Sequence, residues 1–423
     1  MKPVFRIMGI VVVFCAASVA WLILGGLTVA RSDDSSVSLR GEVQELWGSA
    51  QNQYAPTLRF EWQTQELVER QVTDEKGNQR TIREMATVTK YEEVSPDSTR
   101  IRVDLKSDLR RKGLVWYSLY DVDLDGTWTY QHALDRSGTL LVEFNFPDRN
   151  GVYDDFVFDI NGQDLASQVT PVNGAVSYRL PVEKGQSLTL IAGYVSRGLD
   201  EWRYLPARGV GRVQDFELTM TTDFADIDFP NYTLSPNAKE QTDAGWRLQW
   251  KFGRVVTGHG VGMVMPQRIQ PGELASSLSF SAPVSLLFFF LVMFVLATLR
   301  QIEIHPVNYL FLAGAFFAFH LLFAYLVDHV AIEVAFAVCA TVSMLLVTSY
   351  MRLVVSNRFA FVEAAAAQLV YLIGFSLAHF WSGYTGLTVT VLAIVTLFLL
   401  MQLTGRIRWG EALAGRPLTE ATS

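Results

Sequence analysis

Six long apolar stretches constrain this chain more than any other feature. They occupy residues 7–29, 280–299, 307–327, 330–350, 359–380 and 385–403, and each is close to the roughly twenty residues a helix needs to cross a bilayer. Hydrocarbon offers no partners for backbone N–H and C=O groups, so such stretches span as helices. The expected fold is a polytopic α-helical membrane protein with one N-terminal span and five C-terminal ones. A large polar block is inserted after the first span. The positive mean hydropathy and 50% hydrophobic content agree with this. The expected domains are an N-terminal transmembrane anchor (1–30), an exported β-rich domain (31–279), a five-helix bundle (280–404) and a cytoplasmic tail (405–423).

Orientation follows from the short flanks. Lys2, Arg6, Arg300, Arg352, Arg358, Arg406 and Arg408 fall on one side, whereas the turns around Asp328-His329 and Trp381-Ser382-Gly383 hold no Lys or Arg. Cytoplasmic loops accumulate positive charge, which predicts cytoplasmic termini and an exported polar block. Tyr325, Tyr350, Trp381, Tyr384 and Trp409 sit near span ends, where amphipathic rings are favoured. A cleavable signal peptide ending at Ser18-Val19-Ala20 is the rival reading of the first stretch. The apolar run continues well past Ala20, beyond the roughly 7–15 residues of a signal core, so an uncleaved anchor is expected.

The inserted block holds 27 basic and 36 acidic residues, a net charge of −9. That argues against nucleic acid or anionic lipid as its partner. Both cysteines, Cys15 and Cys339, fall in apolar stretches, so the block is stable without a disulfide. Residues 37–50 suit a short amphipathic helix with Val37, Val43, Leu46 and Trp47 on one side. Period-two alternation follows. Val142, Phe144 and Phe146 form one such series, Phe216, Leu218 and Met220 a second, and Trp246, Leu248, Trp250 and Phe252 a third. With turn residues at Gly77, Asp125-Gly126, Asn161-Gly162 and Asn173-Gly174, this predicts an antiparallel, sandwich-like β domain in one or two lobes.

Three motifs have a functional reading and a plainer one. Asp121-Val122-Asp123-Leu124-Asp125-Gly126 opens like a calcium loop, but the twelfth position is His132 rather than glutamate, and a strand ending in an Asp-Gly turn fits better. Gly258-His259-Gly260-Val261-Gly262 lacks the strand–helix setting of a phosphate loop and reads as a turn. Asn231-Tyr232-Thr233 is a glycosylation sequon only in a host that modifies exported asparagines.

Ionisable residues within spans are functional candidates because burying charge in lipid is costly. His320, Asp328, His329 and His379 form a candidate intramembrane polar site for a proton or metal ion; Glu363 is expected to pair with Arg358. The plainer reading places most of these groups at the interface, with Glu333, and leaves His320 as a neutral, hydrogen-bonded imidazole. Gly314 with Ala318, and Ala364 to Ala367, are expected to mark close helix packing. The sequence carries no nucleophile elbow, zincin helix or Walker loop. The expectation is therefore a protein that is not an enzyme and has no cofactor.

Ile304-His305-Pro306-Val307-Asn308-Tyr309-Leu310, continuing through Phe319 to Asp328-His329, resembles the bacterial inner-membrane CreD family, also called the colicin-tolerance family. The likeness includes Val43-Gln44-Glu45-Leu46-Trp47-Gly48 with Pro56, Arg111-Lys112-Gly113-Leu114 with Tyr120, the Asn161-Gly162 turn and the 245–250 strand. His320 stands where that family usually has tyrosine, and Asp328 replaces glutamate. The resemblance implies a Gram-negative inner-membrane protein with a periplasmic domain, tied to envelope stress and to tolerance of colicins and cell-wall antibiotics. It supplies no catalytic residues. The expected function is support of envelope integrity by binding a periplasmic or envelope protein through residues 31–279, with the bilayer as the other partner. The alternative is a small transporter or ion-responsive protein that uses the intramembrane His and Asp residues.

Overall fold

The computed structural model describes residues 3–73, 79–112, 115–206, 208–381 and 383–405. The expected turn at Gly77, part of the 111–114 segment, Ser382, and the flank with Arg406, Arg408 and Trp409 lie outside the described residues. Contacts divide the chain into two compact units. One comprises Met1–Ser38, Gly113–Val115 and Ile269–Ser423, and the other Leu39–Lys112 and Trp116–Arg268.

The first unit is helical. Among the described residues, six helices are long and apolar enough to cross a membrane. They are α1 (Pro3–Trp47), α2 (Pro271–Leu299), α3 (Pro306–Leu326), α4 (Ile332–Val354), α5 (Phe359–Phe380) and α6 (Thr385–Thr404). Pro271 and Pro306 open α2 and α3, where the missing N–H would be unpaired in any case. The α5 helix mixes π turns (Phe359–Ala364 and Leu369–Gly374) with short α segments. A buried cluster joins Trp21 and Leu24 to Leu278, Phe289, Phe316, Phe323, Cys339 and Leu372.

Several expectations are corrected here. The first helix does not stop near residue 30 but runs to Trp47, because no proline intervenes. Residues 37–47 are its last turns, and the expected apolar side is kept only in part: Val43 is buried and Trp47 half-buried, whereas Val37 and Leu46 are exposed. Gly314 faces open space and supports no close packing, although Ala364 and Ala367 are buried. Glu363 pairs with Arg300 at 2.7 Å rather than with Arg358.

The second unit is built of strands. In chain order they are β1 (Gln51–Tyr54), β2 (Thr57–Thr73), β3 (Gln79–Val94), β4 (Ser98–Lys112) and β5 (Val115–Gln131). Next come β6 (Gly138–Asn145), β7 (Tyr153–Ile160), β8 (Gln163–Asp164), β9 (Ala175–Val182) and β10 (Ser187–Leu199). The last five are β11 (Glu201–Leu205), β12 (Gly211–Thr222), β13 (Ala238–Gln241), β14 (Trp246–Thr257) and β15 (Val261–Val264). They form an eight-stranded sheet (β13-β14-β12-β4-β5-β10-β7-β8), a four-stranded sheet (β3-β2-β6-β9) and a three-stranded sheet (β1-β11-β15). One continuous core is shared by all three: Val103, Val122, Leu190, Leu218 and Trp250 from the first, Phe60, Val142 and Phe144 from the second, Trp202 and Met263 from the third. The alternating apolar residues read from the sequence point into this core.

Pairing is mainly antiparallel, but β12 runs parallel to β4 and β1 parallel to β11, so the eight- and three-stranded sheets are mixed, whereas the four-stranded sheet is antiparallel throughout. Asn161-Gly162 and Asn173-Gly174 do turn, with positive φ at all four residues. Asp125-Gly126 does not. The β5 strand continues through it to Gln131, and Gly126 is present because a β-carbon there would lie 2.1 Å from the Trp128 ring.

Candidate functional site

The last turns of α1 are fastened to the sheet by several contacts within the β unit. Arg40 pairs with Asp200, and Glu42 with Lys112 at 2.7 Å. The Trp47 ring takes the guanidinium of Arg110 at 4.0 Å and that of Arg197 at 5.5 Å, contacts that draw on the ring quadrupole. Gly48 then ends the helix. Its φ is +91°, and its N–H donates to the Gln44 carbonyl at 3.0 Å, satisfying a carbonyl the helix would otherwise leave open. Beyond it the Ser49 hydroxyl donates to Asp148 at 2.7 Å, and the Gln51 amide donates to Ser196 Oγ and to the Arg197 carbonyl.

Beside this junction a groove of about 960 Å³ opens on the outer face of the eight-stranded sheet. Glu45, Asp104, Asp121, Asp123, Asp148 and Asp154 line it, against Lys106 and Arg197. Burial, then the neighbouring Asp125 and Asp104, push the Asp123 carboxyl above the usual carboxylate range. Burial would also raise Asp148, but hydrogen bonds from the Asn150 N–H and from Ser49 outweigh it and hold this carboxyl low. Asp121 pairs with Arg197 at 3.1 Å. Among the described residues no group of three or more His, Cys, Asp or Glu is placed to hold a metal ion. The Asp121–Asp125 carboxylates lie along a strand rather than around a loop. His132, at the calcium loop's twelfth position, is buried, with Tyr130 Oη 3.0 Å from Nδ1 and the Arg136 carbonyl 2.8 Å from Nε2.

A second exposed feature is the β2–β3 ribbon. These strands pair from Leu58–Val94 out to Thr73–Gln79, but only Thr57–Glu61 of β2 also pair with β6. Among the described residues the rest of the ribbon has no further strand neighbour. Leu67 and Met85 face each other across it, 60% and 61% exposed.

In the helical unit the four candidate polar residues go to different partners. His320 is buried. Its Nδ1 donates to the Phe316 carbonyl at 3.0 Å, and its ring meets Trp21 edge-on at 5.6 Å. Asp328 pairs with Arg31 at 2.9 Å, and that arginine also donates to the Ala324 carbonyl and lies over the Tyr325 ring. His329 is exposed. His379, near enough to His320 to act on it electrostatically, approaches the Phe375 carbonyl at 3.3 Å. Polar contact between helices also comes from residues with no charge. The Gln368 amide donates to Ser343 Oγ at 2.8 Å, Ser343 donates to the Ala315 carbonyl at 2.9 Å, Ser285 donates to the Tyr371 carbonyl, and Tyr371 Oη bonds Thr396 at 2.8 Å. Sequence reading passed over these groups because it weighed ionisable side chains alone. A glutamine in mid-span was the available signal.

The family model for inner membrane protein CreD matches residues 2–271 and 275–410. The chain belongs to the CreD family. The matched span takes in the α1–sheet junction, all three sheets and the six helices. This places the chain among multi-pass inner-membrane proteins in contact with the bilayer. No curated protein sequence matches it significantly. Solved structures similar to it include a Legionella pneumophila protein provisionally described as nutrient binding, at 10% identity and a TM-score of 0.30, over 46% of this chain and 74% of that one.

Proposed function

We propose that this CreD-family protein supports envelope integrity by binding, as a non-enzymatic factor, with its strand unit exported and both termini cytoplasmic. Tolerance of envelope stress, colicins and cell-wall antibiotics is the physiological role that the family resemblance suggests. The observation that carries the binding role is the β2–β3 ribbon. A two-stranded ribbon is marginal in water by itself, and long open strand edges are ready acceptors for another chain. The β3 strand is the outer strand of its sheet over all 16 residues, and the ribbon exposes a facing Leu67–Met85 pair. An extended polypeptide of an envelope protein, added along β3, would meet backbone hydrogen-bonding groups and this apolar pair together.

The test uses the full chain in intact cells. Photo-crosslinking residues at positions 67 and 85 are expected to trap a discrete envelope protein. Met85→Lys is expected to lose the adduct and the tolerance phenotype without a fall in protein level. Adducts confined to lipid or to this chain itself would remove the binding reading.

A further inference from the structure

A groove with apolar walls and a charged end lies between α1 and α2. Ile7, Ile10, Val11 and Phe14 recur at helical spacing on α1, and Leu287, Phe290, Leu291 and Phe294 do so on α2. They enclose about 240 Å³ with almost no polar surface. Positions 7 to 14 extend about 10 Å along the helix axis, most of the roughly 15 Å depth of one leaflet. At the end of this groove the Arg6 guanidinium lies 5.6 Å from the centre of the Phe294 ring. Its Nε and Nη2 are buried there beside the Tyr309 hydroxyl, a neutral group that supplies no counter-charge. Arg31, within α1, and Arg300, at the end of α2, each hold a carboxylate, Asp328 and Glu363. No carboxylate among the described residues pairs with Arg6. A half-buried cation without a counter-charge is costly, and an anion at the groove mouth would relieve that cost.

We infer that this groove is a binding site for an anionic phospholipid, one acyl chain lying between α1 and α2 and the headgroup phosphate taken by Arg6. The apolar walls select a chain and the arginine, which has no carboxylate partner among the described residues, selects a negative headgroup, so neither a neutral lipid nor free phosphate satisfies both. The inference depends on α1 and α2 crossing the membrane and not on the binding role proposed for the strand unit.

The full chain, purified in neutral detergent, tests it by native mass spectrometry with phosphatidylglycerol and phosphatidylethanolamine of identical acyl chains. Phosphatidylglycerol is expected to be retained about fivefold more strongly, the usual scale for one arginine at an anionic surface. Arg6→Gln is expected to bring it down to the phosphatidylethanolamine level, and Ile10→Trp, which fills the groove, to weaken both. Equal retention of the two lipids by the unaltered protein would overturn the site, as would a preference that survives Arg6→Gln. Competition by inorganic phosphate at the same concentration would also overturn it, because the chain would then contribute nothing. Should the variants fail to fold, a phosphatidylglycerol with a photoreactive acyl chain on the unaltered protein decides the matter. Adducts on α1 and α2 peptides support the site, and adducts only on other helices exclude it.

Discussion

The carbonyl oxygen of Arg197 sits 2.7 Å from where a β-carbon on Gly48 would lie. With φ at +91°, Gly48 has both the backbone conformation and the clearance that only glycine supplies. Gly48→Val is therefore expected to destabilise the protein by about 2 kcal/mol or more, from backbone strain and from the displaced Arg197 carbonyl. Gly41, about two turns earlier in α1, meets nothing within 4 Å. Gly41→Ala should instead gain about 0.5–1 kcal/mol from helix propensity. Apparent unfolding temperatures of the two full-length variants in detergent, moving in opposite directions, check the pair.

Gly126→Ala probes a different constraint. The residue is mid-strand with a negative φ, so backbone conformation is not at issue, but its added methyl would overlap the Trp128 ring. Overpacking of this kind costs about 1–3 kcal/mol. Trp128 is fully buried and its indole N–H donates to Tyr204 Oη at 3.1 Å, so it cannot move aside cheaply. Combining Gly126→Ala with Trp128→Leu should cost less than the sum of the single changes. Additive losses would show that the two sites do not share this contact.

The contrast between these two glycines explains how much of the fold the sequence made legible. Spans and core-facing strand residues were readable because each is a run or a period, and Leu218, Met220, Leu248 and Trp250 point inward as their alternation requires. Asp125-Gly126 has the composition of a turn but is fixed by Trp128, a neighbour on the same strand face that dipeptide propensity ignores. The candidate site was less legible. Arg40 finds Asp200, and Trp47 finds Arg197, across about 150 residues of chain or more, so no local pattern announces them. The same is true of the parallel pairing of β12 with β4, which joins strands more than 100 residues apart.

Ser343 and Gln368 should show strong coupling in the membrane unit. Ser343→Ala removes the acceptor for the Gln368 amide and the donor to the Ala315 carbonyl. The expected loss is about 1 kcal/mol, near the upper part of the range for hydrogen bonds between membrane helices. Gln368 Oε1 is already buried without a partner, so Gln368→Leu removes an unsatisfied group together with a satisfied one and should be close to neutral. The double variant is expected to be more stable than Ser343→Ala alone. Denaturant titration of all four proteins in one detergent measures the cycle, and a double variant as weak as the summed singles would discard this network.

Asp123 and Asp148 line the same groove with carboxyls shifted in opposite directions, which gives opposite pH dependences. Burial and the neighbouring carboxylates raise Asp123, so its folded-state pKa exceeds its unfolded one. Its contribution to stability is then fully present below the unfolded value, about 3.9, and is lost as pH rises through the folded pKa. At pH 7 the charge is a penalty, and Asp123→Asn should stabilise the protein, by no more than about 0.5 kcal/mol because the side chain is exposed and solvent screens it. The gain should shrink with added salt and vanish near pH 3. Asp148 is held low by Asn150 and Ser49, so its contribution is present above its unfolded pKa and is lost as pH falls through the folded one. Asp148→Asn should thus destabilise at pH 7 and converge on the unaltered protein in acid. Unfolding curves at pH 7 and pH 3 for both variants test the signs, and a destabilising Asp123→Asn at pH 7 would mean that its negative charge is instead favoured by Arg102 and Lys106.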